Sequence, residues 1–139
     1  MPVSFRIFED AALVYVRYAG LARVAEGFDA FTAYLMHPDS RPDQRQFVDL
    51  SAVTEVEQDF MRLFQFQAEK AAAFMAGRAP VMLVYYAPTE ISLGMARLIQ
   101  RSWEGLDGAI VRVVTEWDAA ADILGLGAEM LDTVARREV

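Results

Sequence analysis

PVMLVYYAPTEISLGMARLIQRS, residues 80–102, joins two periodicities in one stretch. Residues 80–86 are almost continuously apolar and rich in β-branched and aromatic side chains, the composition of a strand covered in the middle of a sheet. Pro88 and Thr89 then open a helix, with Thr89 as N-cap and Glu90 complementing the dipole. Ile91, Met95, Leu98 and Ser102 fall on its inward face, with Ile99 at the edge of that face. Gly94 in mid-helix costs up to ~1 kcal/mol relative to Ala, which points to a close approach on the backbone there. A buried strand feeding directly into an amphipathic helix is the repeating unit of an α/β domain.

The same alternation extends both ways. Upstream, Val3–Phe8 and residues 12–18 read as strands, joined by a tight hairpin at Glu9, Asp10 and Ala11, with Gly20 stopping the second. Val24, Phe28, Phe31 and Leu35 form one helical stripe, which the prolines of the loop at 37–43 bring to an end. Residues 46–50 are a short strand. Residues 58–75 are helical again, with Phe60, Phe64, Ala71 and Met75 at the centre of the apolar arc and Gly77 as C-cap. Gln67 lies within that arc and needs a partner, since an unpaired buried amide costs ~1–3 kcal/mol. Phe66 lies outside it.

Downstream, Ala109–Val114 is the last strand, and Asp118 caps a short helix ending at Leu124 and Gly125. Residues 128–137 make a final amphipathic helix with Met130, Leu131 and Val134 as contact residues. The expected fold is therefore α/β, a mixed sheet of about five strands with an N-terminal antiparallel hairpin. The later strands are expected parallel with right-handed crossovers, accompanied by four to five helices. One domain spans 1–139, with its core at about 3–125 and the C-terminal helix at about 128–137.

Composition narrows the chemistry. The 139 residues suit about one domain. At 55% hydrophobic and 24% charged the chain is neither disordered nor fibrous. Having no cysteine, it offers no disulfide framework, zinc–thiolate site, iron–sulfur cluster or thiol nucleophile. Its single histidine, His37, beside Pro38, reads as an exposed loop residue and removes every mechanism that needs two imidazoles. The net charge is −7, Lys70 is the only lysine, and the arginines are scattered, so nucleic acid and anionic lipid are poor partners. Arg6, Glu9 and Asp10 interrupt any signal-peptide core. The nearly apolar run at 79–88 is about half the ~20 residues a membrane helix needs. A cytoplasmic, bacterial-type protein without membrane insertion is the expectation.

The string Phe47-Val48-Asp49-Leu50-Ser51-Ala52-Val53-Thr54, placed at a strand end within this element order, resembles the STAS domain. That family comprises anti-sigma-factor antagonists of the SpoIIAA-like kind and the cytoplasmic tails of sulfate transporters. Its strand commonly ends Asp-Leu-Ser-Gly-Val, so Ala52 stands where the family has glycine. The resemblance implies a partner-binding loop and helix start carrying a phosphorylatable serine. Counting on from Asp49, that segment falls on Glu57, Gln58, Asp59 and Phe60, where neither Gln58 nor Asp59 has a hydroxyl. The phospho-switch does not transfer, and Asp59 mimics a phosphoserine's charge only in part. The stand-alone branch of the family, some of whose members look akin to lipid-transfer domains, is the nearer match. The candidate partner-binding residues are Ser51, Glu57, Gln58, Asp59 and Phe60.

No catalytic constellation emerges. Glu55, Glu57 and Asp59 could offer oxygens to Ca²⁺ or Mg²⁺, but no glycine permits the sharp loop, and an acidic helix start explains them as well. Nothing like Gly-x-Ser-x-Gly surrounds Ser51. No cofactor is expected. Phe66, Leu93, Met130, Leu131 and Val134 are surplus apolar surface, which either docks a second copy as a homodimer or is covered within one chain. Phe, Met and Tyr side chains over a sheet can alternatively line a pocket for an apolar ligand. Two functions remain open: a non-catalytic interaction or regulatory module with an unidentified protein partner, and a small carrier of an apolar or lipid-like ligand.

Overall fold

Strand-to-helix connections wind this chain across a sheet in a single direction. The computed structural model describes residues 2–75 and 79–136, and of Phe60 only the backbone. Gly77 and Arg137 lie outside the described residues. The strands are β1 (Val3–Phe8), β2 (Leu13–Ala22), β3 (Arg45–Val56), β4 (Val81–Tyr86) and β5 (Ala109–Val114). The helices are α1 (Val24–Leu35), α2 (Phe60–Phe74), α3 (Glu90–Ser102), α4 (Trp117–Leu124) and α5 (Ala128–Arg136). The sheet order is β1-β2-β3-β4-β5, with β1 antiparallel to β2 and every later pair parallel. The α/β class, the mixed sheet and the N-terminal hairpin are as the periodicity implies.

Topology assigns the layers. Each parallel crossover steps to the next strand in the same direction, so right-handed connections put α1, α2 and α3 on one face. There Val48, Leu50, Leu83 and Tyr85 of the sheet meet Ala71 and Phe74 of α2 and Met95, Ile99 and Trp103 at α3. The opposite face would be bare without the C-terminal helices. Leu13, Tyr15, Phe47 and Val84 there pack against Ala120, Ala121 and Leu124 of α4 and Leu131 and Val134 of α5. The Arg45 guanidinium donates to the Leu124 and Ala11 carbonyls, fastening the end of α4 to β3. Residues 46–50 of β3 are all buried because both faces are covered.

Several details depart from the sequence reading. Gly20 does not stop β2; with φ +69 it sits where the β2–β3 register shifts, serving a bulge that lets the strand run on to Ala22. β3 is likewise longer and reaches Val56. The hairpin connection is a 3-10 turn over Glu9–Ala11, closed by Ala12 at φ 48 donating to the Glu9 carbonyl. Thr89 caps α3 as expected, in a reciprocal pair with Ser92, but Ile91 is exposed. Nothing approaches Gly94, since a Cβ there would meet no atom within 4 Å. The N-cap of α4 is Glu116, and Asp118 sits in the first turn.

The largest departure is the face that α2 buries. Phe64 and Met75 are exposed, whereas Phe66, Gln67, Lys70, Ala71 and Phe74 are buried, a rotation of roughly a quarter turn. Phe66 is therefore not spare surface: its ring meets Phe28 and Phe31 of α1. Leu131 and Val134 are buried against the second face of the sheet, and Leu93 packs half-buried on the first, so these residues are covered within the chain. Met130 alone of that group is exposed.

Candidate functional site

α1 and α2 do not close fully on the sheet. Between them and strands β2, β3 and β4 lies a cavity of about 80 Å³, room for roughly five to eight water-sized groups. Val14, Val16 and Tyr18 of β2, Phe31 of α1, Leu63 of α2 and Met95 of α3 are among its walls. Gly27 brings α1 close to the sheet here, because a Cβ at that position would stand 2.5 Å from the Tyr18 hydroxyl. Exposed Arg23 and partly exposed Glu57 and Asp59 also line it.

Its polar lining is sparse and incompletely paired. Lys70 is 7% exposed, and its ammonium rests 5.3–5.8 Å from the ring centroids of Phe31, Phe66 and Phe74. No ion pair joins it to a carboxylate among the described residues. Burial lowers its pKa to about 8, because the charged form loses water. One turn away, Gln67 donates from Nε2 to Ser102 Oγ at 3.0 Å. Ser102 in turn donates to the Ile99 carbonyl at 2.5 Å, which fixes the amide's orientation. Gln67 Oε1 is thereby left buried and unpartnered. Tyr18 is pushed up to about 12 by burial, and Tyr85 is raised by burial and then by Tyr18, so both hydroxyls stay neutral near pH 7.

The strand-end residues singled out by the motif do different work. Asp49 is buried and accepts from the Tyr15 hydroxyl at 2.6 Å, the Ser51 hydroxyl at 2.6 Å and the Ser51 N–H at 2.9 Å. Ser51 is exposed beyond it. Glu57 accepts from the Val24 N–H at 3.1 Å, serving the start of α1 rather than that of α2. Asp59 caps α2 by accepting from the Arg62 N–H at 3.1 Å. Gln58 is exposed, and the Phe60 side chain lies outside the description. Among the described residues no three His, Asp or Glu side chains come together as a metal site. Ser51 and the 57–59 segment are thus set apart, and only Glu57 and Asp59 reach the cavity.

Sequence reasoning flagged Gln67 but missed Lys70, Tyr18 and Tyr85. The signal was present for Lys70: it follows Phe66 by four residues, Gln67 by three, and precedes Phe74 by four, so all share one helical stripe. A lone lysine in a chain otherwise charged by arginine marks the same position. No helix among the described residues is long and apolar enough to cross a membrane. No family model matches this chain, and no curated protein matches it.

Proposed function

We propose that this protein is a non-catalytic binder of a small apolar ligand, held in the cavity between α1, α2 and the sheet. The unfilled, aromatic-walled space of about 80 Å³ carries the reading, since cores otherwise pack to near-crystal density. Size limits the occupant to a short chain or a single ring. The carrier reading anticipated from the surplus of Phe, Met and Tyr side chains agrees with it. A thermal-shift series with C4 to C6 ligands tests it. A ligand binding only the folded state raises Tm with concentration. Ala30 of α1 lines the cavity, so the bulkier Ala30→Leu should abolish that rise in a folded protein. No rise with any member of the series would overturn the proposal.

A second reading, a STAS-like interaction module, is supported by Met61 and Phe64, exposed one turn apart on α2 beyond Gln58. Native mass spectrometry checks its self-associating form. A dimer that Met61→Ser with Phe64→Ser converts to monomer supports it, and a wild-type monomer counts against it.

A further inference from the structure

The cavity's polar end names a ligand class, an inference that rests on the apolar-ligand reading above. An ammonium removed from water is costly unless it meets an anion or gives up its proton. Lys70 is buried, faces three phenyl rings and pairs with no carboxylate among the described residues. Ring faces compensate a cation only in part. The side chain could not have been placed there for packing alone, because methionine would fill the same volume without a charge. Beside it, Gln67 also lines the cavity, and its Oε1 is buried without a partner. The rest of the cavity wall is chiefly aliphatic and aromatic.

We infer that the ligand is a small apolar monocarboxylate whose carboxylate pairs with Lys70 while its hydrocarbon part occupies the Phe31–Val16–Leu63 side of the cavity. The carboxylate supplies the one thing the aromatic cage lacks, a full opposite charge at hydrogen-bonding distance. An alcohol of the same length gains the apolar contacts but leaves the ammonium unpaired. An amine places like charges together and is rejected.

Because Lys70 is the only lysine, selective ¹⁵N-lysine labelling of the full chain gives one side-chain signal, free of overlap. Hexanoate and hexan-1-ol are the probes, titrated by calorimetry at pH 7 into the wild type and Lys70→Met, with the Lys70 nitrogen followed against pH. The other titratable or charged groups lining the cavity are Tyr18, Arg23, Tyr34, Glu57, Asp59 and Tyr85, and all remain in both proteins. Hexanoate is expected to bind the wild type at least about tenfold more tightly than Lys70→Met and to move the lysine titration upward by about one pH unit. Hexan-1-ol should bind both proteins alike and leave that titration in place. If both probes bind both proteins equally and the lysine titration stays still, the cavity reading stands and the carboxylate assignment falls. If neither probe binds the wild type, both fall.

Discussion

A charged group pressed against phenyl rings changes how stability responds to pH, and Lys70 is the residue through which this can be read. Its folded-state pKa, about 8, lies below the ordinary 10.5. Between those values the unfolded chain binds more protons than the folded one, so stability rises with pH across that window. Below pH 8 the penalty is fully present. Tyr18 acts oppositely: raised from 10.0 to about 12, it holds its proton in the folded state, so stability falls as pH climbs past 10. The wild-type Tm should therefore climb from pH 8 toward 10 and then decline. Lys70→Met should lack the climb and be the more stable protein at pH 7. Parallel pH profiles for the two proteins would refute this. Gly94 gives a simpler case. It is exposed in mid-helix with empty space where a Cβ would go, so Gly94→Ala should raise the urea midpoint by an amount equivalent to about 0.5–1 kcal/mol with m unchanged. A lower midpoint would mean that something does need the bare backbone there.

Helix ends and helix faces separate the roles that the sequence had merged. Asp59→Ala removes the cap of α2 and should cost about 1 kcal/mol, whereas Gln58→Ala, exposed and next to it, should stay within about 0.5 kcal/mol. Equal losses in chemical denaturation would show that the acidic segment acts as something other than a cap. On α5, Leu131→Ala should cost about 2–5 kcal/mol and Met130→Ala almost nothing, because one side chain is fully buried and its neighbour is exposed. If both are tolerated equally, α5 does not cover the sheet in solution. The presence and order of these elements were legible because strand and helix periods differ sharply at residues such as 80–86 and 90–102. Their rotation was not. Counting Phe and Met as interior and Lys as solvent turns α2 to the wrong side, since Phe64 is exposed and Lys70 buried. The burial of α5 follows from topology: once α1, α2 and α3 share one face, the other needs Leu131 and Val134, and no window of sequence shows that by itself.

The two faces of the sheet differ in how well they are filled, which gives the whole molecule an asymmetry. On the α4–α5 side Leu13, Tyr15, Phe47, Leu124 and Leu131 are almost wholly enclosed. On the other side the α1–α2 layer spans the cavity, so part of each wall lacks the contacts that close packing supplies. Exposed Phe28 and Leu35 on α1 leave that helix with less of its apolar surface engaged. Regions with fewer buried contacts open at lower free energy than the global transition. Amide hydrogen exchange under native conditions should then find β3 and β4 exchanging only through global unfolding, and α1 and α2 through a cheaper local opening. A ligand in the cavity contacts both helices and the sheet, so saturating hexanoate should raise protection in α1 and α2 as well as in β3 and β4, because the local and the global opening both destroy the site. Protection that is uniform across both layers without ligand, or a hexanoate-induced rise in β3 and β4 that α1 and α2 do not share, would mean that the two helices do not close the cavity. The two outcomes differ by location along the chain, which makes the experiment decisive even when the total stabilisation is small.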